Sequence, residues 1–427
     1  MWRSEGYGYV FVIGGDRWTA YEVTSTTCVA GFTATRTAVD ATDREATFAP
    51  DRGPQFFVRS GGTADHKVLH FEGAVSDRRM DRIPRLPRFC DRPTANTRRN
   101  NFEVFTRTYA EHYVSFDLKH VNWDSIVAAA QPKVTVETSP AELFEILAGM
   151  IRPFGDAHTF ISAPAINAVF RGFRPGTERA QPTVFEATDH AYLVGPLQKF
   201  CEDWVQYSHL DAATGYLRIL SFQGYSPAGT FAANLSALES ALDTIFSDPA
   251  LRTLVIDVRV NRGGSDALGL AVASRLATRD YLAYAKEARA DPVDRTKWTP
   301  RDPSIVIPSS RPGFRGPVVE LIGPSTVSGG ETFTQALIGR TPHITRIGEN
   351  TQGCFSDVLT RRLPNEWRFG LSNEVYLTPG GAAFEGAGIP PDIRIPVFAR
   401  ADLTAGRDPA MAKAIGVFQS GHAGTSR

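Results

Sequence analysis

From about Thr214 to Pro396 the chain alternates apolar strand patterns with helical ones, and that alternation restricts it to an α/β fold. GYLRILSF reads as a strand, TFAANLSALESALDTIFSD as a helix, LRTLVIDVRV as a buried strand and SDALGLAVASRLA as a second helix. PVVELIG and GGETFTQALIG repeat the pairing, followed by ITRIGE and a pair of strands in EWRFGLSNEVYLTP. Strands separated by helices need crossovers, so the predicted core, residues 213–400, is built on a largely parallel sheet. Upstream the period changes. Residues 1–76 run in short alternating stretches, YGYVFVI, WTAYEV, ATFAP, QFFVRS and KVLHFEG, between Gly, Asp and Thr turns, which predicts a small antiparallel β-domain. Residues 77–100 hold eight arginines and three prolines and read as a linker with a solvated basic face. Residues 101–165 carry three helical segments, the last opened by the capping box Ser139 to Glu142 with Pro140 at its first position. Residues 166–212 read as a connecting region, and 401–427 as a C-terminal helix and tail.

With 42% apolar and 22% charged residues over 427 positions, the chain is long and apolar enough for several packed domains. Forty-six basic side chains balance 46 acidic ones, so no global charge recruits nucleic acid or an anionic membrane. No window has the apolar length of a membrane span, and MWRSEGYGYVFVIGGD lacks the charged and apolar regions of a signal peptide. The chain as written is therefore expected in the cytoplasm, or secreted or periplasmic if the true start lies upstream. Cys28, Cys90, Cys201 and Cys354 are widely spaced and show no zinc pattern, so neither a metal nor another cofactor is expected. A Cys28 to Cys90 bridge would require export; buried thiols are the commoner outcome.

The stretch Leu321 to Leu337, LIGPSTVSGGETFTQAL, ends an apolar strand in a small-residue turn and starts a helix after Ser328. A serine there lies beside the unpaired N–H groups of a first helical turn, which can stabilise an oxyanion. Gly329 and Gly330 keep the approach open. The alternative is that Ser328 only caps the helix, with Glu331 completing a capping box at its positive end. Three other places bear on that choice. IDVRVNRGGS ends a strand in Gly263 and Gly264, which expose N–H groups or merely make a tight turn. FGDAHTFI carries His158, with Asp156 nearby as a partner or a turn former. GGAAFEGAGIPPD holds Glu385 in a glycine-rich loop.

Taken in order, DVRVNRGG, STVSGGETF, GENTQG and FEGAGIPPD, with AHT behind a helix, resemble the tail-specific protease family, also called C-terminal processing peptidases, which includes the tricorn protease core. The resemblance runs from about Phe102 and leaves the N-terminal β-domain outside. It implies a crotonase/ClpP-like α/β core acting as a serine-type peptidase on peptides or unfolded proteins. One branch pairs its serine with a lysine in G-x-x-T-x-G-K; here Gly348 to Gly353 is followed by Cys354, so the lysine is absent. The tricorn-like branch uses serine, histidine and glutamate, and the matching positions are Ser328 as nucleophile, His158 as general base and Glu385 orienting the histidine. Tricorn's helper serine is Ala157 here. By the same resemblance the oxyanion would meet the N–H of Gly329 and that of Gly264 or Gly263, the former favoured. Residues 166–212 are too short for the complete PDZ domain many relatives carry. The rival readings are a catalytically inactive ligand- or peptide-binding protein on this fold and a crotonase-like acyl-CoA enzyme. An α/β-hydrolase is disfavoured because Ser328 is not in G-x-S-x-G. Oligomeric state is left open.

Overall fold

The alternation of the first eighty residues closes a barrel. In the computed structural model, which describes residues 1–40, 44–51, 53–177 and 180–423, the strands Trp2–Ser4, Tyr9–Gly14, Arg17–Val23, Cys28–Val39, Glu45–Pro50, Phe56–Ser60, His66–Phe71 and Arg78–Arg82 pair antiparallel in order. Trp2 pairs with both Phe11 and Arg82, which removes the free edges. Phe11, Trp18, Phe48, Phe56, Leu69 and Met80 are buried in its core. The closing strand lies inside the stretch read as a linker. Its sequence, RRMDR, buries only Met80 and leaves four charged side chains outside, so no apolar alternation announces it. Cys28 and Cys90 form a disulfide, with Cα atoms 5.2 Å apart, instead of remaining buried thiols.

The chain divides into two units. The first comprises Met1–Arg174, Lys286–Asp302 and Ser356–Tyr376. Beyond the barrel it contains the helices Arg98–His112, Trp123–Ala130 and Pro140–Ile151. Tyr109 and Trp123 of these helices, with Tyr113 and Phe116 from the segment between them, pack around Phe154, and the Tyr113 and Phe154 ring centroids are 4.7 Å apart. The capping box is present: Ser139 N–H donates to Glu142 Oε2 at 2.8 Å. A four-stranded antiparallel sheet, in the order Ala168–Arg171, Phe160–Ala163, Arg368–Ser372, Val358–Arg362, completes this unit. The pair of strands expected in EWRFGLSNEVYLTP is therefore corrected. Arg368–Ser372 pairs with Val358–Arg362 and Phe160–Ala163, while Glu374–Leu377 belongs to a different sheet. Only Asn373 separates the two runs, too little chain for a hairpin.

The second unit, Pro175–Ala285, Pro303–Phe355 and Leu377 onward, is the α/β core. Its seven-stranded sheet runs Val194–Phe200, Val205–His209, Thr214–Ile219, Thr253–Asp257, Val318–Ile322, Thr345–Gly348, Ile393–Arg394. From Thr214–Ile219 onward neighbours are parallel, as the crossover argument requires. The first two strands come from the connecting region and add antiparallel to the core edge. Val319 and Leu321 face the C-terminal helix Pro409–Ala423 through Ala410, Met411 and Ala414. Glu320, between them, faces the other side, where Thr334 of the helix Gly329–Leu337 donates to it at 2.7 Å. Arg259 is fully buried and pairs with Asp257 and Asp408, tying the start of the C-terminal helix to the sheet.

Candidate active site

Three adjacent parallel strands of the core deliver three turns to one end of the sheet. Asp257 and Leu321 are register partners, as are Ile322 and Gly348, so the turns at 258–265, 323–330 and 349–355 leave neighbouring strand ends. This is where open α/β sheets place their ligands.

Ser328 sits at φ +57°, ψ −123°, outside the regions favoured by a side-chain-bearing residue. Its carbonyl accepts the N–H groups of Glu331 at 2.7 Å and Thr332 at 3.0 Å, which starts the helix with a main-chain acceptor. The turn carrying Gly263 and Gly264 packs against it without clearance for side chains. A Cβ on Gly329 would stand 2.6 Å from the Gly264 carbonyl oxygen, and one on Gly263 would stand 2.7 Å from Ser328 Cβ. Gly263 N–H donates to Asn261 Oδ1 at 2.8 Å and is thereby occupied. Gly264 and Gly329 N–H groups have no acceptor among the described residues, which leaves two adjacent donors beside Ser328. Asn261 organises the turn: its Nδ2 donates to the Ile219 carbonyl at 2.8 Å, and its own carbonyl accepts Val327 N–H at 3.2 Å.

Glu331 has a larger part than a charge at a helix start. Its side chain is fully buried; Oε1 accepts Thr351 Oγ1 at 2.5 Å and Gly353 N–H at 2.6 Å, and Oε2 accepts Cys354 N–H at 2.8 Å and Ser328 N–H at 3.3 Å. Burial pushes its pKa up to about 7 against those hydrogen bonds, which favour the carboxylate. One carboxyl group thus joins the serine turn to the 349–355 loop. That loop holds Glu385 in turn: Phe355 N–H donates to Glu385 Oε2 at 2.9 Å, and Gly386 N–H to the Gly353 carbonyl at 2.9 Å. Gly353 and Gly386 lie in direct contact, a Cβ on Gly353 falling 2.7 Å from Gly386.

His158 belongs to the first unit, on the turn between the helix Pro140–Ile151 and the strand Phe160–Ala163. Asp156 shapes that turn, accepting His158 N–H on Oδ1 at 2.8 Å while Tyr113 donates to Oδ2 at 3.0 Å. Burial raises the Asp156 pKa, but Lys119, His158 and the His158 N–H outweigh it and hold the carboxyl below its usual range. Of the six residues singled out in the sequence, Ser328, Gly263, Gly264 and Gly329 form one contact cluster. Glu385 joins it through the 349–355 loop, and His158 is placed in the first unit.

Residues 213–395 match the model of peptidase family S41, and residues 94–152 that of the tricorn protease C1 domain. The core belongs to peptidase family S41. S41 peptidases are serine peptidases, and the core therefore carries a hydrolase fold. A candidate peptidase from Parabacteroides merdae is similar over 75% of this chain and 96% of its own, at 26% identity and a TM-score of 0.64. Mature CPAF is similar over 74% and 96%, at 13% identity and a TM-score of 0.57, and CPAF complexed with lactacystin gives 14% identity and 0.55. No curated protein matches.

Within the S41 core, Asn261, Thr351 and Glu331 are the residues that sequence reasoning passed over or underrated. Glu331 was visible as a capping-box acid, but the donors to its carboxylate lie on a loop about twenty positions downstream that no local pattern connects to it. Asn261 directly precedes the RGG turn, where a short polar side chain commonly folds back onto main chain.

Proposed function

We propose that the S41 core is an active peptidase that cleaves peptide bonds through an acyl-enzyme, with Ser328 as nucleophile, His158 as general base and Glu385 orienting the histidine. The observation that carries the proposal is the conformation of Ser328: a left-handed φ at a strand-to-helix turn, beside two N–H groups with no acceptor among the described residues. In the proposed sequence His158 takes the proton from Ser328 Oγ as it attacks the substrate carbonyl, and returns it to the leaving amine. Water then repeats the attack on the ester, again with His158 as base. The negative oxygen of both tetrahedral intermediates is assigned to the N–H groups of Gly264 and Gly329; Gly263 is dropped because its N–H is taken by Asn261. Each such donor is worth about 3 to 4 kcal/mol of transition-state stabilisation, and the base about 10² to 10⁴ in rate. Glu331 serves as a positioning residue that shares Ser328 N–H with the Cys354 carbonyl, 3.1 Å away, and holds the loop that carries Glu385.

Peptides and unfolded proteins are the proposed substrates. No helix among the described residues is long and apolar enough to cross a membrane. The Cys28–Cys90 disulfide favours an oxidising compartment, and so the secreted or periplasmic alternative. Turnover of an unfolded protein such as casein by wild type, Ser328→Ala and His158→Ala tests the assignment. Loss in both variants with unchanged circular dichroism is expected, and full activity in either would refute it.

A further inference from the structure

The first unit contains a cavity of about 360 Å³ at the end of the barrel, remote in sequence from every residue assigned above. Arg289 lines it and is only 5% exposed, yet its Nε and Nη1 N–H groups have no hydrogen-bond partner among the described residues. His112, 7% exposed, presents Nε2 in the same condition. Arg289 packs over the Trp298 ring at 5.7 Å, which supplies attraction but no acceptor. Buried guanidinium N–H groups without acceptors are costly, and native proteins pair such groups.

The acids on the cavity wall are committed elsewhere. Glu111 accepts Ser25 N–H at 2.9 Å and Ser25 Oγ at 2.5 Å. Asp291 accepts the N–H groups of Val293 and Asp294, both at 2.9 Å, and pairs with Lys297. Burial, then Arg295, lowers the Arg289 pKa, with Asp117 opposing. Burial, then Arg361 and Arg289, brings His112 to about 3, so its imidazole is neutral and contributes polarity without charge. Gly6 and Gly8 have φ of +67° and +59°, and a Cβ on Gly8 would stand 2.4 Å from His112 Nε2. Gly8 thus keeps the wall beside the His112 ring clear, and Gly6 leaves room for the Arg289 carbonyl, which its Cβ would approach to 2.8 Å.

We propose that this cavity binds a small monoanionic carboxylate with an apolar body, its carboxylate on the Arg289 N–H groups and its body against Tyr9, Val23 and Phe89. A dianion is disfavoured because Glu111 and Asp291 share the wall with Arg3 and Arg289. The volume suits a ligand of benzoate size or somewhat larger.

The test is calorimetric titration of the full-length Ser328→Ala protein with benzoate, benzamide and inorganic phosphate. That variant has no nucleophile, so any signal is independent of peptidase activity. Saturable benzoate binding is expected, with benzamide and phosphate at least about tenfold weaker and Arg289→Gln weakening benzoate by a similar factor. Should Arg289→Gln fail to fold, intermolecular nuclear Overhauser effects from the benzoate ring to Val23 methyls are expected in the parent protein. No saturation by about 10 mM benzoate, equal binding of benzamide or phosphate, indifference to Arg289→Gln, or no contact with Val23 would overturn the proposal.

Discussion

At the scale of single residues, the site depends on glycines that let two turns touch. Gly329→Ala brings a methyl to 2.6 Å from the Gly264 carbonyl oxygen, and main chain on both sides leaves little room to yield. The turns must separate, and with them the two N–H donors. We expect kcat to fall by about 10² or more while KM changes little, measured by steady-state kinetics on a fluorogenic peptide. Asn261→Ala acts through hydrogen bonds instead, stranding Gly263 N–H and the Ile219 carbonyl in a buried turn. About 1 to 3 kcal/mol per stranded group should be lost, read as a lower urea midpoint with an unchanged m-value. At this scale the sequence was informative about identity and silent about contact. Ser328, Gly263 and Gly264 stood out because each follows an apolar strand and precedes a helix, a place that a cap or a tight turn also explains until the other motifs are set beside it. That Gly263 spends its N–H on Asn261 required coordinates.

At the scale of elements, the helix Gly329–Leu337 carries a buried acid at its start, and the strand Val318–Ile322 behind it carries another. Burial raises the pKa of both Glu331 and Glu320 to about 7 from an ordinary 4.5. A carboxyl with a raised folded-state pKa binds protons more tightly folded than unfolded. Its contribution is therefore complete below pH 4.5 and is lost as pH rises to about 7. Glu320→Gln keeps the acceptor for Thr334 while removing the charge. It should stabilise the core at pH 8 by up to about 3 kcal/mol and flatten stability between pH 4.5 and 7, checked by chemical denaturation across that range. Glu331→Gln should behave differently. Four donors converge on its carboxylate, and an amide nitrogen among them can accept none. Activity is expected to drop about 10²-fold with secondary structure retained.

The elements themselves were mostly legible, because apolar period distinguishes strand from helix wherever one face is buried. The period failed for Arg78–Arg82, with one inward side chain in five, and for the run after Trp367, where two adjacent strands enter different sheets. Partner choice in a sheet is decided by residues far apart in the chain, and no local pattern encodes it.

For the whole molecule, the order of motifs was enough to identify the core, because three neighbouring parallel strands fix where their turns emerge. The disulfide was not legible: two cysteines 62 positions apart are equally compatible with free thiols until the barrel brings their Cα atoms to 5.2 Å. Reducing Cys28–Cys90 should cost about 2 to 5 kcal/mol, seen as a lower melting temperature in the presence of dithiothreitol. The peptidase proposal rests on activation of Ser328 by His158, a residue 170 positions away in the sequence. It is tested most directly by labelling wild type and His158→Ala with a fluorophosphonate and locating the adduct by peptide mass spectrometry. Modification of Ser328 in the wild type and its loss in the variant is the predicted result; a folded wild type left unlabelled, or labelling that survives without His158, would contradict it.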